Sequence, residues 1–319
     1  MTTHPITPVS PRWLYALAVL TVLFTLPLLF LGAGVTSHGV GMVDPKGFRP
    51  PWEIVNGLIE NSGFAWRLEY GHRTFGFLVG ICSIALAVGC FFFDSRPWVG
   101  WLAFVALAMI CAQGALGIFR VDYNALYGRT FALVHGVFAQ LVFAVLVCLA
   151  SVLSPSVAEE ADEPVSPSVR NWSIALALLV FLQLILGGLV RHREDLLGPR
   201  GHLLGAFLVV GAVVWLLKVM RETGDGDRFT VQRISLMALL TLQIWLGIES
   251  WLARFYTPYA DLPQLAPLPM HAEWIRTAHY LIGTLIFATS VSVVLIAHRS
   301  LAVDTNAEAM PSAKLEGLA

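Results

Sequence analysis

Five consecutive residues, Glu69-Tyr70-Gly71-His72-Arg73, put an acid, a histidine and an arginine within about one helical turn. They stand where a polar stretch runs into an apolar one. Three more histidines, His135, His202 and His279, occupy similar places, each one or two turns inside the start of an apolar segment. A histidine inside a membrane is costly without a partner. Its neutral imidazole nitrogen is a good axial ligand for haem iron. Two such residues on facing helices at matched depth can clamp one porphyrin, and four can clamp two. The order in the chain pairs His72 with His135 and His202 with His279. A lone histidine of this kind is more often a hydrogen-bonding core residue; recurrence at four matched places favours ligation.

The neighbours suit a flat macrocycle. Gly76, Gly136, Gly205 and Gly283 lie close after, or beside, the four histidines, and small residues let a helix approach a ring. Arg73, Arg129, Arg200 and Arg276 each fall within about two turns of a histidine. They could bind propionates bidentately, or simply reach the lipid interface. Glu69, three residues before His72, would share its helix face. Pro199 and Arg276 hold the matching places before His202 and His279. The acid could accept a proton or stabilise positive charge at a porphyrin edge. Alternatively, it pairs with Arg73 four residues on. His4, His38, His192, His271 and His298 fall outside the pattern and read as loop or interfacial residues.

The elements that must position these groups are membrane helices. Of the 319 residues, 57% are hydrophobic and only 13% are charged, which predicts an all-α polytopic membrane protein. Eight spans are expected: Trp13–Val35, His72–Phe93, Trp98–Phe119, Thr130–Leu153, Trp172–Val190, Gly201–Met220, Ile234–Ala253 and Trp274–His298. The first is long and lacks a convincing cleavage site, so it reads as a retained helix. Spans three, five and seven each carry Q-x-x-L-G, at Gln113–Gly117, Gln183–Gly187 and Gln243–Gly247; span one keeps only Leu31-Gly32. Every even span carries its histidine near its start. The repeated unit is a hairpin, with a Gln/Gly helix out and a His helix back. The Gln and Gly read as packing devices with little direct part in chemistry.

The acidic, proline-containing stretch 154–170 reads as a solvated linker between two pseudo-repeated four-helix bundles. The expected division is 1–153 for the first half, 171–298 for the second, and a disordered tail at 299–319. Pro45 to Glu69 reads as a long loop, and Arg221 to Gln232 as a charged one. Both termini fall on one side, and all four histidines lie near the other. Lys and Arg number nine on the side of the termini and eleven on the histidine side, so the positive-inside rule does not choose an orientation. The four cysteines lie in apolar segments and predict no disulfide framework. Nothing in the charge pattern suits nucleic acid; the contact surface expected is membrane lipid.

These residues resemble the haem A synthase family. The resemblance rests on the eight-span layout with one histidine per even span and on E-x-x-H-R at Glu69–Arg73. The Gly/Ser/Thr-rich stretch Gly34–Met42 adds to it. It runs from about Trp13 to His298. It implies oxidation of the C8 methyl of haem O to a formyl group through a hydroxymethyl intermediate. The substrate haem would sit between His72 and His135. An iron-containing haem b cofactor between His202 and His279 would relay electrons, and Glu69 would stand near the reacting methyl. It also implies a bacterial-type inner membrane, cytoplasmic termini, a cytoplasmic linker and haem sites toward the outer face. Its implied partners are haem O synthase and cytochrome oxidase assembly factors; the oligomeric state, homo-oligomer included, stays open. Many members carry a cysteine pair in the first outer loop, whereas Val35 to Arg67 contains none. The competing readings are a di-haem b-type electron-transfer protein and a non-catalytic haem carrier. The first typically holds its haems at two depths, and the second gives Glu69 no task.

Overall fold

The computed structural model describes residues 10–61, 63–155, 164–194, 196–256, 263, 266 and 268–299. Nine α-helices appear among them: α1 (Arg12–Ser37), α2 (Pro51–Glu60), α3 (Phe64–Phe93), α4 (Pro97–Asp122), α5 (Asn124–Leu153), α6 (Pro167–His192), α7 (Leu197–Glu222), α8 (Thr230–Phe255) and α9 (Met270–Arg299). All but α2 are long and apolar enough to cross a bilayer, which gives eight candidate spans and an integral, multi-pass protein.

Surface and interior support that reading. Ile81, Phe91, Leu178, Leu204 and Phe207 point outward, as expected where the solvent is lipid. Buried threonines and serines return their hydroxyls to the carbonyl one turn back, as Thr25 does to Thr21 at 2.7 Å. All four cysteines are free.

Helix starts follow local chemistry. Pro97 and Pro167 open α4 and α6, where a missing N–H costs nothing, and Ser166 caps α6 through the Ser168 amide. Asp94 grips Arg96 in the tight turn before α4, and that hydrogen-bonded pairing outweighs burial to hold its carboxyl below the usual range. The expected spans are all present, but several helices start earlier. Residues 167–170, read as linker, are helical, and α3 begins at Phe64, well before His72. A further helix, α2, interrupts the stretch read as a loop. Its Ile54 and Gly57 are buried, while Trp52, Val55 and Ile59 are exposed. The stretch 221–232 contains a 3-10 turn at Asp227–Phe229, and α8 starts at Thr230. Residues 156–163 and the tail 300–319 lie outside the described residues.

The helices contact one another within each half of the chain and across the two halves. α1 contacts α3 and α5, α3 contacts α4, and α4 contacts α5; α6 contacts α7 and α9, and α8 contacts α9. α1 and α5 meet α9, and α5 meets α6. Leu29, Ala139, Phe143 and Ala288 form a buried cluster at that seam. Because the loops between α1 and α3, α4 and α5, α6 and α7, and α8 and α9 fall on one side, the four histidines share one end of the bundle.

Candidate haem-binding site

His72 on α3 and His135 on α5 face each other with ring centroids 6.5 Å apart and planes at 77°. His202 on α7 and His279 on α9 do the same at 6.0 Å and 80°. An iron with axial nitrogens at roughly 2 Å holds two imidazole centroids on the order of 6 Å apart. Both pairs fit that spacing. Among the described residues, no cluster of three or more His, Cys, Asp or Glu could hold a bare metal ion. A two-nitrogen site fits a metal whose other donors come with it, which is what a porphyrin supplies.

Within each pair, the first histidine is oriented by the main chain of the preceding membrane-spanning helix, α1 for His72 and α6 for His202. Nδ1 of His72 lies 3.0 Å from the Leu28 carbonyl, and Nδ1 of His202 lies 3.3 Å from the Gln183 carbonyl. A ring that donates from Nδ1 keeps the lone pair of Nε2 for a metal. Leu28 and Gln183 both stand four residues before a glycine, Gly32 and Gly187. The second histidine of each pair meets a glutamine. The Gln113 amide nitrogen is 3.3 Å from Nε2 of His135, and that of Gln243 is 3.3 Å from Nε2 of His279. Nδ1 of both rings is buried without a partner.

The glycines of the repeated motif are the ones that touch the rings. A Cβ placed on Gly32 would come within 2.6 Å of Cε1 of His72, and one on Gly117 within 3.3 Å of Cε1 of His135. The corresponding approaches are 3.1 Å from Gly187 to His202 and 3.0 Å from Gly247 to His279. The Gln/Gly motif is therefore a packing device whose partners are the histidines themselves. Sequence reasoning sets it apart from the site because the partner lies on the next helix. The glycines next to the histidines in the chain play another part. A Cβ on Gly136 would meet nothing within 4 Å, one on Gly76 only Leu28, and Gly205 and Gly283 face the amides of Gln183 and Gln243.

Charged groups gather around α3. Glu69 is 3% exposed and fully engaged. Its Oε1 takes Arg73 at 2.6 Å, and its Oε2 takes the amides of Val43 and Asp44 at 3.1 and 3.2 Å. The pairing with Arg73, one of the two sequence alternatives, is thus present. Asp44 is buried and receives Arg49, Tyr70 and the Lys46 amide, with Arg73 at 3.5 Å. Burial alone would raise the Asp44 carboxyl, but the bonds from Arg49, Lys46 and Tyr70 and the charge of Arg73 outweigh it and hold it at about 2. Arg49 is raised in turn by the same contacts.

Of the four arginines singled out by sequence, Arg276 is held by Glu273 at 2.9 Å, and Arg73 by Glu69. Arg129 is 68% exposed and meets Glu194 at 3.4 Å, while Arg200 is exposed. Arg191 proves more central. It bonds the Ala33 carbonyl at 2.6 Å and the Ser37 hydroxyl, crossing from one half of the chain to the other. His192, read as interfacial, is a buried last residue of α6. His38 closes an aromatic cluster with Phe64 and Trp274. Glu273, 1% exposed, is the acid that sequence reasoning misses in the second half.

The chain is similar to known proteins. A family model described as "Cytochrome oxidase assembly protein", COX15-CtaA, matches residues 56–198, a stretch with Glu69, His72 and His135 that ends before His202. A Heme A synthase of Methylobacterium nodulans is 33% identical over 154 residues, 44% of this chain and 40% of that protein. One of Symbiobacterium thermophilum is 29% identical over 65% of this chain and 76% of its own length. One of Hyphomonas neptunium is 26% identical over 60% of this chain and 62% of its own. The match therefore spans less than two-thirds of the first and third relatives. Over residues 56–198 the chain is similar to the COX15-CtaA family, and the relatives named Heme A synthase match it at 26% to 33% identity.

Proposed function

We propose that the protein is a haem A synthase, oxidising the C8 methyl of haem O to a formyl group through a hydroxymethyl intermediate. The observation that carries this reading is the pair of histidine couples, 6.5 and 6.0 Å between centroids, at one end of the bundle. The relatives named Heme A synthase supply the chemistry it suggests.

In this reading His72 and His135 hold the substrate haem, and His202 and His279 hold a resident haem b. When bound, haem b supplies a one-electron carrier between the substrate and an external acceptor. The protein's own part is to orient the rings through the Leu28 and Gln183 carbonyls, to keep the approach to them narrow with Gly32, Gly117, Gly187 and Gly247, and to exclude lipid. Glu69, three residues before His72, is the acid proposed to accept a proton or stabilise positive charge at the first site. The propionates are assigned to Arg73, Arg129, Arg200 and Arg276. The histidine end is assigned to the outer face and the termini to the cytoplasm, with haem O synthase and oxidase assembly factors as partners.

Expression in a host whose membranes contain haem O but no haem A tests this. Haem A or its hydroxylated precursor in the extract, lost with His72→Ala and with Glu69→Gln, is the expected result. Bound haem b with unaltered haem O would replace the enzyme by an electron carrier. Inserted protein without any haem would remove the four-histidine reading.

A further inference from the structure

At the histidine end of the bundle, the buried acidic residues among the described residues are Asp44, Glu69 and Glu273, and their positions follow a rule; Asp94, whose side chain is equally covered, sits in the short turn between α3 and α4 at the other end. Two histidine-bearing helices, α3 and α9, are entered from long connections; the other two are entered from short ones, Tyr123 before α5 and residues 193–196 before α7. At this end the buried acids occur only at the long connections. Ahead of α3, Glu69 accepts the amides of Val43 and Asp44, and Arg73 adds a bond to the Lys46 carbonyl at 3.0 Å. Asp44 then collects Arg49 and Tyr70, and Asp122 at the end of α4 takes the Gly47 amide at 3.0 Å. Ahead of α9, Glu273 accepts the Leu268 amide at 2.7 Å while paired with Arg276. Arg254 at the end of α8 bonds the carbonyls of Ala266 and Pro263.

The same device is thus built twice, with a buried carboxylate on or beside the histidine helix, an arginine on that helix neutralising it, and incoming amides as its cargo. A carboxylate offers about four acceptor positions, and charge-assisted bonds to amides are among the stronger ones. Burying such a group is costly unless it is paired and bonded, and here each is. A role confined to one haem would give one acid. An acid at each long connection fits a need shared by those connections.

We infer that Asp44, with Glu69, and Glu273 are positioning residues that lock the entering main chain onto α3 and α9 and so fix the placement of His72 and His279. For Glu69 this is a second task beside the one proposed above. The part that concerns the loops is independent of haem; the part that concerns the histidines rests on the proposed function.

Hydrogen–deuterium exchange of the full chain in lipid nanodiscs, with mass spectrometry of the loop peptides, tests the first part. Asp44→Asn is expected to raise exchange across residues 40–47 by about tenfold or more and to leave the Leu268 peptide unchanged; Glu273→Gln is expected to do the converse. Arg49→Gln, which removes two bonds to Asp44 from a partly exposed side chain, gives a milder loss and decides the matter if Asp44→Asn does not insert. The ferric low-spin EPR signals of the bound haems test the second part. Each substitution should shift the signal of its own half only. Unchanged exchange in these variants would overturn the lock. Loosened loops with both haem signals unmoved, or moved together, would confine the acids to the loops. Absence of haem with the exchange pattern as expected would remove the proposed function and leave the lock standing.

Discussion

A methyl on Gly187 would stand 3.1 Å from Cε1 of His202, and the same contact recurs from Gly32 to His72, where the distance falls to 2.6 Å. At Gly32 a Cβ cannot be admitted unless something shifts, and at Gly187 the ring must give by a few tenths of an ångström. Each contact joins two helices, α6 to α7 and α1 to α3, so relief requires moving either the ring or the helix. Overpacking of this kind costs about 1–3 kcal/mol. Gly32→Ala should displace its histidine most and Gly117→Ala, at 3.3 Å, least. The haem-to-protein ratio of purified variants, measured beside thermal unfolding, checks the order. Full haem content in Gly32→Ala would show that the ring can move freely.

The pH dependence of the first loop follows from Asp44. Its carboxyl sits at about 2 in the folded protein against 3.8 for the unperturbed group. A depressed folded value means that the stabilisation is complete above the unfolded value and disappears as pH falls through the folded one. The loop should therefore hold above about pH 4 and loosen toward pH 2, for a contribution of about 2 kcal/mol. Glu69, Glu53, Arg49, Arg73 and Tyr70 share the network, so the transition belongs to the group. Exchange of the Lys46 amide, which donates to Asp44 at 3.1 Å, between pH 5 and 2, corrected for intrinsic rates, should show the loss in the native chain and a flat response in Asp44→Asn.

Much of this architecture is legible in the sequence. The eight spans follow from apolar runs long enough to cross a bilayer, and each of the four paired histidines stands near the start of one. What stays hidden is cross-helix or main-chain in origin. α3 begins at Phe64 because Arg67, Glu69 and Arg73 are helical despite their charge; two of them are neutralised by one another and by loop amides that no spacing rule reveals. Glu273 lies six residues before His279, and its partner is the Leu268 N–H, so a comparison of the positions just before each histidine passes over it. The short helix α2 starts on Pro51 within a proline-rich stretch, and its buried positions, Ile54 and Gly57, are too few to register as a period. Gln183 and Gly187 are visible as a one-turn motif, but the ring they hold depends on the register of α6 against α7.

Tyr280 ties the two halves of the chain together. Its hydroxyl accepts from the Gln140 amide nitrogen at 2.5 Å, and its ring lies 5.5 Å from the Arg191 guanidinium. Tyr280→Phe keeps the ring and takes one acceptor from the Gln140 amide, whose nitrogen retains the Gly136 carbonyl at 3.3 Å, at a cost of about 1 kcal/mol. The unfolding midpoint in detergent should fall accordingly, while Gln140→Leu/Tyr280→Phe, which removes both partners, should recover part of the loss. Equal stability of the single and double variants would show that the bond contributes nothing.

The pairing of histidines within each half makes the last prediction. His72 and His135 meet at 6.5 Å and His202 and His279 at 6.0 Å, so ligand loss should be felt by pairs. His202→Ala and His279→Ala should each remove or turn high-spin the same haem, and His72→Ala and His135→Ala the other. Glycine helps to separate ligation from folding. Imidazole added to His202→Gly should re-enter the space beside Gly187 and restore the low-spin spectrum, whereas no small molecule should rescue a variant that has simply misfolded. Optical and EPR spectra of the four single variants decide this together. If His72→Ala and His279→Ala disturbed one common haem, the ligands would be shared between the halves of the chain and the division into two sites would be wrong.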